Sequence, residues 1–300
     1  MLAAARSTGC VLSTIEPESR DSVVARAALA VDSSRYRDAV SDLLLLAAQD
    51  ILLRLSHTEC EILRIAVGHT LLRASFSREQ LRTEQPLDSE TSLQTKSSLR
   101  AGFLHRIEDE QADVCRKLIN MVQNQLIPRE TNPPKLVFYY SLQGDLCRSL
   151  FECSTPLDVE AIRKAKTAYE LGSDICSGLP PVHPIRLRHR FKHAQFILPY
   201  SHDVESAKEV CFDEHSWACE FLDSVDHNEL ADCTPDTYIL MDGILSSAIR
   251  WIEGTCPTID ERNGNDRRAE LERLTGGMQG STKSRPNAPK DAPVSPKSRL

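Results

Sequence analysis

The sequence predicts an all-α fold of nine helices between unstructured ends. Three observations point there: only 12 glycines occur in 300 residues, the helix formers leucine, alanine, arginine and glutamate abound, and apolar residues recur at helical rather than alternating spacing. No stretch alternates for long enough to read as a strand.

Residues 1–21 are rich in alanine and serine, carry Arg6 and no acid before Glu16, and lack the amphipathic arginine face of an organelle leader; they read as a flexible N-terminus. A single helical domain is expected over 22–254, opening with a short helix over 22–29. A second helix starts at Arg35-Tyr36-Arg37-Asp38 and carries Val40, Leu43, Leu44 and Ala47 on its apolar side. Ser56-His57-Thr58-Glu59 forms a capping box, so a third helix begins at His57 and follows Ile62, Ile65, Ala66 and Leu72 to about Phe76. Residues 83–97 are polar, contain Pro86 and read as a loop.

A long fourth helix is expected from Ser98 to Leu126, with Phe103, Ile107, Val114, Leu118 and Met121 on one face and Pro128, Pro133 and Pro134 ending it. The fifth runs from Lys135 through Phe138, Leu142, Leu146 and Leu150 to Cys153. Thr155-Pro156-Leu157-Asp158 supplies a cap, a first-turn proline and a dipole-matched acid for a sixth helix ending at Cys176. Pro180, Pro181 and Pro184 then make a stiff connector, because each lacks an N–H and pushes its predecessor out of the α region. His183 is placed to cap and Pro184 to open a seventh helix, which Pro199 stops or kinks. Two more helices are expected over 203–225 and 235–252. From 255 to 300, glycines and then Pro286, Pro289, Pro293 and Pro296 stand among serines and lysines, a composition with too little to bury, and the segment reads as a disordered tail.

Several function classes are excluded by pattern. A net charge of −7 argues against nucleic acid as a partner. The longest apolar run, Leu43 to Ala48, falls far short of the ~20 residues that span a bilayer. Ten cysteines form no C-x-x-C pair and follow no secretory signal, so they read as reduced thiols of a cytoplasmic protein. Cys211, His215 and Cys219 share a helix face, but the outer two lie ~12 Å apart along a straight helix and cannot close on one metal ion; buried small hydrophobes are the better reading. There is no glycine-rich phosphate loop, H-E-x-x-H or nucleophile elbow, so no catalytic residue, cofactor or metal is assigned. His183, beside its prolines, fixes the corner. No period near 34 residues marks a helical repeat.

Several short strings, in order, resemble the 14-3-3 family. They are Leu29-Ala30 with Arg35-Tyr36 and Asp38, the run Lys135 to Arg148, the connector Pro181 to Leu187, Cys211 to Glu214, and Leu240-Met241 to Trp251. The resemblance spans residues 22 to 253. It implies nine antiparallel helices forming a cup, and a dimeric adaptor whose grooves bind phosphoserine or phosphothreonine segments of client proteins. The partner chain would be an identical copy or another 14-3-3.

For the dimer, the resemblance implies that Arg35 meets the partner's Glu110 and Asp38 the partner's Arg106, with Phe103 alongside. The alternative is that Arg106 and Glu110, at i and i+4, pair with each other on a solvated face. For the groove it implies a phosphate held by Arg148. Ser149 stands in the family's tyrosine position, Gly68 and Ser75 replace the third-helix lysine and arginine, and Lys192 and Ser247 replace the two peptide-holding asparagines. Arg73 is a nearby cation, ~160° round the helix from Ser75. Arg188, Lys192 and Gln195 share one face of the basic run 186–193, so cationic charge has moved to the seventh helix, or that face is merely solvated. Two functions therefore compete: a phosphopeptide adaptor with a partly degenerate groove, and a scaffold that acts by dimerisation or apolar contact without phosphate. In the tail, Ser295-Pro296-Lys297 has the form of a proline-directed phosphorylation site that could fold back into the groove, or the tail simply solubilises.

Overall fold

The computed structural model describes residues 19–48, 54–83, 90–154, 157–201 and 203–224, together with 241–243, 246 and 250. All of them fall within the compact unit Met1–Thr258. Eight α-helices lie among the described residues: α1 (Arg20–Asp32), α2 (Tyr36–Ala48), α3 (His57–Thr83), α4 (Glu90–Met121), α5 (Pro133–Cys153), α6 (Val159–Cys176), α7 (Pro184–Ser201) and α8 (Val204–Ser224). Positions 241–243, 246 and 250 are helical too, within the stretch expected to form a ninth. No strand occurs among the described residues. Residues 1–18 of the N-terminus that was expected to be flexible, the Thr155-Pro156 start of the sixth helix and the 255–300 tail lie outside them, whereas Arg20 and Asp21, expected to precede the first helix, belong to α1.

The capping box forms as read: the Ser56 N–H donates to Glu59 Oε2 (2.6 Å) and the Glu59 N–H to Ser56 Oγ (3.2 Å). Burial opposes the Glu59 charge, yet the Ser56 N–H and the Arg20 guanidinium of α1 hold its carboxyl below the usual range. The same cap thereby ties α1 to α3.

Boundaries differ from the sequence reading wherever polarity was taken for a loop. α4 begins at Glu90 rather than Ser98, because serine and threonine lower helix propensity without barring a helix; residues 84–89 of the expected loop lie outside the described residues. α3 likewise continues past Phe76 to Thr83, since no breaker intervenes. α4 gives way to a π turn over Val122–Leu126 and a 3₁₀ turn over Ile127–Arg129. Pro133 and Pro134, read as ending the fourth helix, instead open α5, capped by the Asn132 side chain, which accepts from the Lys135 N–H (3.2 Å). Asp158 caps α6 through the Ala161 N–H at 3.0 Å. At the connector, His183 Nδ1 accepts from the Ile185 N–H (3.2 Å) and Pro184 is the first helical residue. Pro199 sits inside the last turn of α7 rather than stopping it.

The connector is held by a buried ion pair. Arg186 Nε donates to Glu214 Oε1 of α8, and its Nη1 reaches back to the Leu179 carbonyl at 2.6 Å. Its guanidinium also lies over the Trp217 ring, 5.6 Å from the centroid. Cys211 is buried in the apolar cluster of α7, α8 and Met241, and burial pushes its thiol up to about 12. It packs there as a neutral small hydrophobe.

Helix α5 packs against α4, α6 and α7, and small residues admit these neighbours. A Cβ on Gly172 of α6 would stand 2.4 Å from the His189 ring of α7, and one on Gly144 would stand 2.6 Å from the Tyr169 ring. His189 Nε2 donates to the Tyr169 carbonyl (3.1 Å), so Nδ1 accepts, and the Ser141 hydroxyl lies 2.6 Å from it. Ser173 bridges to His193 Nδ1 at 2.9 Å. Burial, reinforced for His189 by His193 and for His193 by Arg190, lowers the two rings to about 3 and about 4.

Both rings stay neutral in the fold while the unfolded chain takes up protons near pH 6.5, so the unfolded state binds more protons below that pH. Stability is full above pH 6.5 and falls as the pH drops toward the folded-state values. Between pH 7 and 5.5, before most carboxylates titrate, urea unfolding should show a loss of about 2 kcal/mol. A flat profile over that window would contradict neutral burial of the pair.

Candidate functional site

Beyond Lys135, the charges of α5 are Asp145, Arg148 and Glu152, spaced i, i+3 and i+7 on one stripe of an otherwise buried helix. Arg148 keeps 35% of its side chain exposed and Glu152 30%. Arg148 Nε lies 4.0 Å from Glu152 Oε1, and that nitrogen is buried without a hydrogen bond. Burial opposes the Arg148 charge, but Tyr169, Glu152 and Asp145 outweigh it and hold the guanidinium firmly protonated. Glu152 Oε1 accepts from the Tyr200 hydroxyl of α7 at 2.7 Å.

The remaining expected residues fall into three places. Lys192 joins the α5 stripe through an ion pair with Asp145, whose other oxygen accepts from the Tyr169 hydroxyl at 2.7 Å. Burial raises the Asp145 carboxyl, but Lys192 and Arg148 pull it below the usual range, so most of the Lys192 charge is matched within the chain. Arg188 lies in a shallow cleft at the starts of α3, α5 and α7, with Arg64, Lys135, Lys192 and Glu61. Arg73 does not join them: its guanidinium sits over the Tyr36 ring of α2, 5.9 Å from the centroid.

Ser149 is buried, and its hydroxyl is taken by Gln111 of α4 at 2.5 Å, so it faces α4. Gly68 is exposed, with open space where a side chain would project. Ser247 lies outside the described residues. A residue missed in the sequence is Arg78, which is 3% exposed and reaches Ser75 Oγ (3.2 Å) and Glu152 Oε2 (3.5 Å) with one nitrogen. The signal was available: α3 has no breaker before Pro86, and Ser75 and Arg78 share a face at i and i+3.

The charges expected between subunits are paired within the chain. Arg35 binds Asp38 at 2.5 Å, Arg106 lies 3.6 Å from Glu110, and Arg37 of α2 lies 3.0 Å from the same carboxylate. Leu72 and Phe76 of α3 and Leu99 and Phe103 of α4 each expose 60% or more.

The arrangement offers cations and hydrogen-bond donors. Its buried cysteines are held as neutral thiols, with Cys115, Cys147 and Cys176 each pushed up by burial to about 12. Among the described residues no helix is long and apolar enough to cross a membrane.

Comparison with known proteins agrees with this architecture. The family model for the 14-3-3 protein matches residues 26–246. The 14-3-3 protein of Giardia intestinalis is 33% identical over 47% of this chain and 58% of its own length, so that match spans little more than half of the relative. The 14-3-3 protein epsilon of Drosophila melanogaster is 26% identical over 75% of this chain and 86% of its own length. The checkpoint signal transducer rad25 of Schizosaccharomyces pombe is 27% identical over 75% of this chain and 84% of its own length. A family model that covers most of the chain, on an all-helical fold with the expected helix order, identifies the protein as a member of the 14-3-3 family of non-enzymatic adaptors.

Proposed function

We propose that this chain is a dimeric adaptor that binds phosphoserine- or phosphothreonine-containing segments of client proteins through Arg148. The observation that carries the reading is the Arg148 guanidinium: charged, partly exposed, with a buried Nε that has no hydrogen-bond acceptor. A phosphate dianion supplies the acceptors such a fork lacks, in charge-assisted bonds. The groove is partly degenerate, because Gly68 and Ser75 bring no cation from α3 and Lys192 is already bound to Asp145. Arg188 and its basic cleft give secondary attraction for acidic client segments. Arg73, over Tyr36, has no part in the site.

The degeneracy also favours a second reading, a scaffold that dimerises without recognising phosphate. Fluorescence anisotropy of paired peptides, drawn from a degenerate phosphoserine library and its unphosphorylated counterpart, separates the two. The phosphorylated set should bind at least about tenfold tighter, with the difference lost in Arg148→Ala. Equal binding of both sets would leave only the scaffold.

Dimerisation rests on the apolar pairs Leu72–Phe76 and Leu99–Phe103, which leave large hydrophobic side chains in water in the single chain. Exposed ion pairs such as Arg35–Asp38 add at most ~1 kcal/mol, so affinity must come from apolar burial. Sedimentation velocity should show a dimer that Phe103→Glu converts to monomer. A monomeric wild-type protein at micromolar concentration would overturn this part.

A further inference from the structure

We infer that Arg78, buried beneath Ser75, is the α3 cation of the anion site, and that with Arg148 it grips a phosphate group for which the Glu152 carboxylate now stands in. The inference rests on the phosphopeptide reading above and adds a residue to it.

The observation is an imbalance of charge. Arg78 and Arg148 converge on the single Glu152 carboxylate, at 3.5 Å and 4.0 Å. Arg78 Nε and Nη1 and Arg148 Nε are buried and lack hydrogen-bond acceptors. A guanidinium presents five N–H donors, and a buried cation without matched acceptors is costly. The neighbouring carboxylates are committed elsewhere: Glu108 is bound by Arg82 at 2.9 Å, and Asp145 by Lys192 and Tyr169. Nor do the nearby thiols supply an anion, since burial pushes Cys115 up to about 12 and Cys153 to about 11. Asp145 offsets part of the Arg148 charge, but Arg78 and Arg148 share the one Glu152 carboxylate, and three guanidinium nitrogens carrying four N–H hydrogens are left without an acceptor. A phosphate dianion brings both the missing charge and the missing acceptors.

Local sequence makes the arrangement possible. Ser75 brings no charge, but its hydroxyl accepts from Arg78 Nη2 at 3.2 Å and steadies the guanidinium one turn further along α3. Ser149, in place of a bulky aromatic, is turned toward Gln111 and leaves the Arg148 side of α5 uncrowded. The way in is through the exposed parts of Arg148 and Glu152. When phosphate enters, the Glu152 carboxylate gives up the two guanidiniums and keeps its bond from the Tyr200 hydroxyl.

The test reads the arginine Nε–H signals of the full-length wild-type protein by ¹H–¹⁵N NMR during titration with inorganic phosphate, against chloride at equal ionic strength. Signals are assigned with Arg78→Lys and Arg148→Lys. Arg78 and Arg148 are expected to shift together along one isotherm, and folded Arg78→Lys to bind phosphate about tenfold more weakly. If Arg148 shifts while Arg78 stays still, the phosphate reading survives and the role of Arg78 is overturned. If neither shifts, both fall.

Discussion

Everything in this molecule is arranged around the burial of α5. Enclosed by α4, α6 and α7, it keeps small residues where its neighbours approach, and the close passage of Tyr169 over Gly144 leaves no room for even a methyl group. A helix so enclosed has one strip left for charge, and Asp145, Arg148 and Glu152 occupy it. Each must be balanced locally, because the interior makes an unmatched ion expensive. Lys192 and Tyr169 balance Asp145; Glu152 is left to serve Arg148 and Arg78 together. The proposed phosphate site rests on that shortage of negative charge. In a solvent-exposed helix the same three residues would form an unremarkable surface ladder of little energetic value.

The other polar residues of the interior secure the frame. Arg186 holds the proline corner to α8 through Glu214, and the Ser141–His189–Ser173–His193 chain fixes the spacing of α5, α6 and α7 with neutral groups. These pieces put α7, with Lys192 and Tyr200, within reach of the α5 stripe.

Much of the fold was legible because its signals are local. The Ser56–Glu59 box, the His183-Pro184 corner and the apolar stripes each name a helix without help from the rest of the chain. Errors came where composition was read as conformation: the polar stretch before Ser98 proved helical from Glu90, and the Pro133-Pro134 pair opened a helix rather than closing one. The site was only half legible. Arg148 was named from the sequence, whereas Glu152, four residues on, was not, and the pairing of Lys192 with Asp145 needed the fold. Arg78 was missed because the apolar stripe of α3 fades at Phe76; that no breaker intervenes before Pro86 places it on the same face as Ser75, but its burial needed the fold. Arg73, nearer in sequence to the expected position, points instead to Tyr36, which no spacing rule on a single helix can reveal.

If one carboxylate occupies the place of the ligand, neutralising it while preserving its shape should open the site. The most direct measurement is phosphate affinity in Glu152→Gln, where the amide oxygen can still accept from Tyr200 but no longer neutralises Arg78 and Arg148. Affinity about tenfold tighter than wild type is expected, since removing a competing anion from a two-guanidinium site strengthens its hold on another. Unchanged or weaker binding in a folded variant would contradict the shared-carboxylate site.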